Sequence, residues 1–276
     1  MKDEIFSAFT AALGKADGIV GVVLGGSRGR GTNTAFSDYD IGLYYNRQNP
    51  LDIAGLQAAI EPFIDDPAAT LTSIGEWGPW INCGGWFTIA GTKVDLLYRE
   101  LDRVADVIAD ARQGQFTMNY QVGHPHGFCS VILMGEIATC QILHDRNGQT
   151  ARVKALATSY PELLMNNLIV RFGWEVGFAI DNARLAARRG EQNHVAGCAY
   201  RALACLAQVI FALNRRYLIN EKGALFESSQ YPKTIDLLAE RQGEVWAMIG
   251  ANALDEAVLA LEGLRQDMNK LPSAGL

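Results

Sequence analysis

The sequence predicts an α+β protein, with a β-sheet and flanking helices in roughly the first half of the chain and a helical bundle in the second. Two short apolar runs, Ile19–Leu24 and Asp38–Tyr45, alternate with amphipathic segments in the first half. From Gln149 onward, the apolar residues recur mainly at helical spacings of three and four. The 276 residues allow one large or two modest domains, and an apolar share of 49% is ample for a sizeable core.

The first half alternates predicted helices and strands. Residues 3–16 carry apolar side chains at helical spacing, which predicts a helix that covers one face of the sheet. The β-branched run Ile19–Leu24 is predicted to be the first and central strand, and Asp38–Tyr45 the second. A second helix is predicted over Leu51–Ile64, where Asp65-Asp66-Pro67 then stops it.

After the second helix the pattern returns to β structure. Thr70–Thr72 is predicted as a short strand. Trp86–Ala90 and Thr92–Tyr98 flank Gly91, which is typical of a hairpin. A helix is then predicted over Arg99–Arg112 because its apolar residues recur at helical spacing.

The domain junction is predicted where periodicity is lost, within residues 113–128. We therefore expect a catalytic domain over residues 1–127 and a helical bundle domain over residues 128–276. The second domain would begin with a helix over Phe128–Ala138, followed by a short extended piece and a turn over residues 141–148.

The rest of the chain is predicted to be helical. Ser159 and Glu162 match the spacing of a capping box, which predicts a long helix that ends at Arg189-Gly190. Three further helices are predicted over Asn193–Arg216, Pro232–Glu240 and Leu254–Met268. Pro272–Leu276 is expected to fray. The apolar stripes of these helices suit packing within one chain or across a homodimer.

The net charge and the cysteine content limit the binding partners and the cellular compartment that we expect for this protein. A net charge of −6 makes the chain a poor general binder of nucleic acid and suits a cationic small substrate. The five cysteines form no C-x-x-C pair and are expected to be reduced, which predicts a cytoplasmic protein. Neither a secretory leader nor an apolar run long enough to span a bilayer is expected, so no membrane association is predicted.

The segment from Leu24 to Tyr45 carries the predicted chemistry. Asp38 and Asp40 are two residues apart on a predicted strand, so their carboxylates point to the same face and repel each other. Such a pair suits a hard divalent cation such as Mg²⁺. Just upstream, Gly25-Gly26-Ser27 can bring backbone N–H groups and a hydroxyl close to a phosphate, especially if a helix begins at Ser27.

Three segments in this order resemble the nucleotidyltransferase superfamily, which includes the aminoglycoside nucleotidyltransferases. The segments are Val22–Ser27, then Ser37–Ile41 with its acid–apolar–acid pattern, and later Lys93–Leu97 with a third acid, Asp95. Tyr39 departs from the aliphatic residue that the family prefers. The resemblance implies a nucleotidyltransferase-type mixed β-sheet followed by a helical bundle.

The resemblance also implies roles for individual residues. Asp38, Asp40 and Asp95 would bind one or two Mg²⁺ ions, and Asp95 would complete the catalytic site. The triphosphate of ATP would be bound by five residues, namely Gly26, Ser27, Arg28, Ser37 and Lys222.

Several assignments stay open at this stage. Of the two arginines near the phosphates, Arg28 is favoured over Arg30 as the contact. The general base for the acceptor hydroxyl is either Asp95 or Glu175, although an ion pair of Glu175 with Arg171 is favoured by their spacing.

The roles of two histidines and three tryptophans also have alternative interpretations. His124 and His126 are predicted to line a cleft rather than to bind metal. Trp77, Trp80 and Trp86 suit either the core or stacking on an adenine or a sugar.

The predicted function is Mg²⁺-dependent transfer of a nucleoside monophosphate, AMP from ATP, to a hydroxyl of a small molecule, with release of pyrophosphate. The acceptor would resemble an aminoglycoside, which predicts a role like that of an antibiotic-resistance enzyme. One alternative is an antitoxin-like nucleotidyltransferase that modifies a protein or RNA, but the chain lacks a basic stripe. The other is a non-catalytic nucleotide-binding protein, against which the intact acids argue.

Overall fold

The computed structural model of the protein describes residues 1–271. These residues form two compact units. The sheet unit comprises Met1–Asp110, Thr117–Gly123 and Phe128–Ser159, and the helical unit comprises Ala111–Phe116, His124–Gly127 and the residues from Tyr160 on. The predicted fraying of Pro272–Leu276 lies outside the described residues.

The sheet unit is built on a five-stranded mixed sheet. Its strands are β1 (Ile19–Leu24), β2 (Tyr39–Tyr45), β3 (Gly84–Ile89), β4 (Thr92–Glu100) and β7 (Gln141–Asp145). β2 pairs with β4 in parallel, and the other neighbours are antiparallel. The predicted class, α+β with a mixed sheet, flanking helices and a helical C-terminal region, is confirmed.

The central strand is β2, so the prediction that the first strand lies at the centre is wrong. β1 has β2 on one side and β7 on the other, while β4 and β3 extend the sheet beyond β2. The extended piece near residue 141 was expected, but its pairing with β1 was not. The boundary predicted between residues 127 and 128 stays a prediction about domains, and it separates β7 from the sheet to which it is hydrogen-bonded.

One face of the sheet forms the main core of this unit. α1 (Asp3–Lys15) and α3 (Ile53–Ile60) cover it, and α1 inserts Phe9 with no exposed surface. Apolar strand residues on this face recur at every second position, as the pleat of a strand requires. Examples are Ile41 and Leu43 of β2 and Val94 and Leu96 of β4.

Helices α5 (Val131–Thr139) and α6 (Gln149–Ala157) also belong to the sheet unit. Side chains satisfy backbone groups at the C-terminal end of α5 and in the first turn of α6. Lys154 Nζ donates hydrogen bonds to the carbonyls of Ile137, Ala138 and Cys140 at the C-terminal end of α5, at 2.6–3.2 Å. A cation at that end of a helix satisfies orphan carbonyls and complements the helix dipole. The Asp145 carboxylate accepts hydrogen bonds from two backbone N–H groups in the first turn of α6, both at 2.9 Å.

Two further elements of the sheet unit differ from expectation in extent. Thr70–Thr72 is not a strand, although the Thr72 N–H donates to the carbonyl of Gly84 at 3.0 Å. The helix predicted over Arg99–Arg112 is shorter at its start, because Arg99 and Glu100 belong to β4 and α4 spans Leu101–Arg112. The short strand β5 (Met118–Asn119) lies in the region predicted to be irregular and pairs with β6 (Phe128–Cys129). β6 takes the first two residues of the helix predicted over Phe128–Ala138, and α5 begins only at Val131.

The helical unit contains α7 (Glu162–Ala187), α8 (Gln192–Leu213), α9 (Ala224–Ser228), α10 (Leu238–Gly250) and α11 (Leu254–Lys270). The capping box predicted at Ser159 is wrong, because α7 begins at Glu162 with Pro161 at its N-cap and no side-chain cap. The helix predicted over Pro232–Glu240 is also wrong. Leu237 has φ +56°, outside the helical region, so α10 begins one residue later.

Helix α8 is long and apolar enough to match a membrane span by length and composition, which corrects the expectation that the chain has no such run. Its most apolar window is 67% buried within the protein. Burial of this kind is the pattern of a core helix, and length and composition alone are weak evidence of membrane insertion.

The packing of Phe9 makes a direct test of the core. We expect Phe9→Ala to lower the free energy of unfolding by about 3–5 kcal/mol, because it leaves a cavity beside Phe63 and Phe87. Urea denaturation followed by circular dichroism measures the change. The control is Phe36→Ala, since Phe36 is 95% exposed and its loss should cost under about 0.5 kcal/mol. Equal losses in the two variants would contradict this account of the core.

Candidate active site

The structure places two of the three predicted acids side by side. Asp40 of β2 is the direct register partner of Asp95 of β4. Register partners on adjacent strands point to the same face, and strands lie about 4.8 Å apart, so the two carboxylates are neighbours. Asp38 precedes β2 by one residue. This face is opposite to the one that carries the core.

The carboxylate of Asp40 is half-buried and in a negative environment. Burial is the largest cause of the rise of its pKa from 3.8 to about 6, and the charges of Asp95, Asp38 and Glu136 add to the rise. The positive charge of Arg30 acts in the opposite direction. A carboxyl group held this way resists ionisation unless positive charge comes close.

The glycine turn after β1 is shaped around Asp40. Gly26 has φ +56°, and a Cβ at this position would overlap the Asp40 carboxylate. The Gly25 N–H donates a 2.7 Å hydrogen bond to the backbone carbonyl of Asp40. The short helix α2 (Gly26–Arg30) begins at Gly26 and includes Ser27. Glycine is therefore required at residue 26 both by backbone conformation and by the close approach of the carboxylate.

Arg28 holds the loop that connects the glycine turn to β2. Its Nη2 donates a 2.7 Å hydrogen bond to the carbonyl of Ser37, and its Nε lies 3.1–3.2 Å from the carbonyls of Ser37 and Asp38. Its guanidinium also stacks 3.9 Å over the ring of Tyr39. Sequence reasoning missed this loop-holding role, and the contact of Arg28 with phosphate stays a prediction.

Ser37, predicted to contact the triphosphate, lies in the same loop. Its hydroxyl accepts a 3.0 Å hydrogen bond from the Thr34 N–H. Lys222, the predicted lysine contact, is exposed in a turn of the helical unit, where its N–H donates to Asn220 Oδ1 at 2.9 Å. The phosphate roles of Gly26, Ser27, Ser37 and Lys222 stay predictions.

Sequence reasoning missed a buried ion pair near Asp40. Arg99 at the end of β4 is 5% exposed, and its Nε and Nη2 lie 2.6 Å and 2.8 Å from the two carboxylate oxygens of Glu136 on α5. The same guanidinium donates to the carbonyls of Ile81 and Tyr98. A signal was available, because Glu136 is the single charged residue in the apolar helix VILMGEIAT.

Glu175, the alternative general base, belongs to a polar network within the helical unit. Its Oε1 accepts a 2.6 Å hydrogen bond from Arg201, while its Oε2 lies 3.8 Å from Arg171 Nε. The ion pair with Arg171 was expected from spacing, but the closer partner, Arg201, lies on another helix. Its role as a base stays a prediction, and so does that of Asp95.

The histidines predicted to line a cleft join the same network. Arg201 Nη1 lies 2.9 Å from His126 Nδ1, and the His126 N–H donates to Glu221 at 2.8 Å. Burial, followed by the charges of Arg201 and His124, lowers the pKa of His126 from 6.5 to about 3. His126 is therefore neutral at physiological pH, with Nδ1 as the acceptor of the Arg201 hydrogen bond.

Residues 1–271 contain no group of three or more His, Cys, Asp or Glu side chains close enough together to hold a metal ion. The structure thus gathers a pair of carboxylates, Asp40 and Asp95, rather than a closed triad. A pair of mutually repelling carboxylates on one face still fits a hard cation, whose charge would offset the cause of the raised Asp40 pKa.

The segment that contains the glycine turn and the first two acids matches a known protein family. Residues 7–76 match the nucleotidyltransferase domain family, over a range that includes the glycine turn, Asp38 and Asp40. The chain carries a nucleotidyltransferase domain. The superfamily predicted from the sequence is confirmed, and the protein is a nucleotidyltransferase at the level of general nucleotidyl transfer.

Two further comparisons complete the result. Residues 133–222 match a domain of unknown function, DUF4037. A nucleotidyltransferase-like protein from Exiguobacterium sibiricum is similar in structure, with 12% identity, a TM-score of 0.42, and coverage of 95% of this chain and 74% of that one. No curated protein matches the sequence. The assignment of this nucleotidyltransferase therefore rests on the domain match.

The raised pKa of Asp40 predicts a pH-dependent stability cost in metal-free protein. The folded chain keeps the proton to about pH 6 and the unfolded chain releases it near 3.8, so stability falls as pH rises between these values. Asp40→Asn lacks this fall and should be more stable than the parent at pH 8 by about 1–2 kcal/mol, after allowance for partial exposure.

Urea denaturation with EDTA at pH 4 and pH 8 measures that difference. The variant and the parent should differ less at pH 4, where the parent carboxyl is protonated. If the free energies of unfolding of the variant and the parent differed by the same amount at both pH values, the electrostatic account of Asp40 would be contradicted.

The lowered pKa of His126 predicts that the free energy of unfolding depends on pH in the opposite direction. The unfolded chain takes up a proton near pH 6.5 and the folded chain only near 3, so stability falls as pH drops through this window. The parent should lose about 2–3 kcal/mol between pH 7 and pH 4.5 from this group. His126→Asn keeps an acceptor for Arg201 but does not titrate, so its loss over the same interval should be smaller by that amount. Denaturation curves with identical pH dependence for the two proteins would refute this.

Proposed function

We propose that this protein transfers AMP from ATP to a hydroxyl group of a small molecule and releases pyrophosphate, in a reaction that requires Mg²⁺. The observation that carries the proposal is the direct pairing of Asp40 with Asp95, next to a glycine turn that packs against Asp40. A nucleotidyltransferase domain implies a nucleoside triphosphate as substrate. The choice of ATP follows the resemblance to antibiotic nucleotidyltransferases.

Asp38, Asp40 and Asp95 would hold the metal. Their carboxylate oxygens are ligands that Mg²⁺ prefers, and the raised pKa of Asp40 reflects a site that favours added positive charge. The ion would neutralise charge on the phosphates and on the leaving pyrophosphate. Arg30 supplies further positive charge, since its charge opposes part of the rise in the pKa of Asp40.

The residues of the chain would position the two reactants. The turn at Gly25-Gly26-Ser27 would contact the β- and γ-phosphates through backbone N–H groups and the Ser27 hydroxyl. The acceptor oxygen attacks the α-phosphorus, the bond to the oxygen that bridges the α- and β-phosphates breaks, and pyrophosphate leaves. Asp95 would accept the proton of the acceptor hydroxyl. Such transfer depends mostly on positioning and charge neutralisation.

A small cationic acceptor, resembling an aminoglycoside, is favoured by a net charge of −6 and by the acids on the open face of the sheet. Lys222 and Arg28 are proposed to assist with the triphosphate. The five free cysteines support a cytoplasmic location. Division into a catalytic domain and a helical bundle domain, and assembly as a homodimer, remain part of the proposal.

Pyrophosphate release tests the function. ATP, Mg²⁺ and a panel of aminoglycosides, lincosamides and protein acceptors are the reactants. With an accepted acceptor, Asp40→Asn should lower the rate by at least about 100-fold, because charge stabilisation at the reacting phosphate is lost. The matched control is Asp110→Asn, which changes an exposed carboxylate on α4 and should keep the parent rate.

Three outcomes of this experiment would count against the proposal. Full activity of Asp40→Asn would contradict the metal assignment. Release that proceeds unchanged with EDTA would contradict the Mg²⁺ requirement. Release only with a protein acceptor would replace the small-molecule proposal by its macromolecular alternative.

A further inference from the structure

Trp86 lies in the same row of the sheet as the two catalytic acids. It is the register partner of Asp95 across β3 and β4, just as Asp95 is the partner of Asp40 across β4 and β2. All three side chains therefore point to the same face. Its neighbours Gly85 and Phe87 are buried, whereas Trp86 is 63% exposed. A large indole exposed on the open face next to catalytic acids calls for an explanation beyond packing.

The indole of Trp86 is held in place from one side. It stacks on Trp77, with ring centroids 4.1 Å apart and planes 10° apart. With that face covered, an exposed fraction of 63% leaves the opposite face open to solvent. Stacked aromatic rings at this separation form a stable flat surface.

Trp77 is itself fixed by hydrogen bonds of its backbone. Its N–H lies 3.0 Å from Cys83 Sγ, and its carbonyl accepts a 2.7 Å hydrogen bond from the buried Gln121. The third tryptophan of this region has a different environment, because the ring of Trp80 contacts both Phe128 and Arg103. The exposed platform is therefore the pair Trp77–Trp86.

The order of the strands decides which reactant can meet this platform. The glycine turn follows β1, Asp40 is on β2, Asp95 on β4 and Trp86 on β3, in the spatial order β1-β2-β4-β3. In phosphoryl transfer the attacking and leaving oxygens lie roughly in line through the reacting phosphorus. If pyrophosphate leaves toward the turn, the acceptor hydroxyl approaches from the side of β3. Trp86 lies about 10 Å from Asp40 in that direction, two strand spacings away.

We propose that the open face of Trp86 binds a ring of the acceptor, and that the acceptor belongs to the class of hydroxylated saccharide or cyclitol rings. The inference rests on the proposed function and adds the surface that would bind its acceptor. The C–H face of such a ring would stack on the indole while one of its hydroxyls reaches Asp95. Ammonium groups on the ring would be attracted both by the indole face and by the nearby carboxylates.

Binding measurements on the full chain test this inference without the need for turnover. The probes are kanamycin, a cationic aminocyclitol glycoside, and sucrose, a neutral disaccharide, with Mg²⁺ and the α,β-methylene analogue of ATP present. Saturation transfer from protein to the ring C–H protons reports contact of the rings with the protein, comparison with the variants assigns that contact to Trp86, and titration gives Kd. The variants are Trp86→Ala and Trp86→Phe.

The matched control is Trp174→Ala. Trp174 is 60% exposed and stacked on Phe178 at 5.1 Å, but it belongs to the helical unit. We expect Trp86→Ala to raise Kd for kanamycin about tenfold, as loss of a stacking surface predicts, and Trp86→Phe to raise it less. Trp174→Ala should leave Kd unchanged, and all variants should bind the nucleotide analogue like the parent.

Three results would overturn the inference. These are no saturation transfer to either probe with the parent protein, the same Kd for the parent and Trp86→Ala, or weaker binding of the nucleotide analogue by Trp86→Ala. The third would assign the platform to the nucleobase instead. Failure of the proposed function is distinguishable, because it would appear as absent Mg²⁺-dependent binding of the analogue, whereas ring binding can be measured without nucleotide.

Discussion

The parallel pairing of β2 with β4 is the constraint on which the rest of the site depends. It sets Asp40 beside Asp95 and, on the reverse face, Ile41 beside Leu96 in the core. A slip of one residue would turn the acids into the core and the apolar residues outward. The core therefore fixes the register that brings two like charges together, and its stability offsets their repulsion.

The local motifs could be predicted from the sequence because each depends on residues close together in the chain. The alternation in β2 and β4 gives both the strand assignments and the face that Asp40 and Asp95 share. The pairing of β7 with β1 could not be predicted in this way, since it joins residues more than 100 positions apart. The ion pair of Arg99 with Glu136 depends on the same kind of long-range packing.

Where local signals failed, tertiary structure or a competing local interaction decided. Ser159 has the residue type and spacing of a cap, yet Pro161 occupies the N-cap of α7. For Arg28 the sequence missed a role and no prediction was overturned, because its guanidinium holds the backbone carbonyls of Ser37 and Asp38. Charge and position next to a glycine turn do not predict this contact, which depends on the geometry of the loop.

The pairing of β7 with β1 bears on how the protein can be divided for study. β1 receives hydrogen bonds from β2 on one side and β7 on the other. A fragment that ended at the junction suggested by the sequence would leave one side of β1 without its partner, and an open, apolar strand edge readily pairs with other chains. Such a fragment would tend to aggregate for a reason unrelated to catalysis. A fragment meant to retain the whole sheet should extend at least through α6, to Ser159.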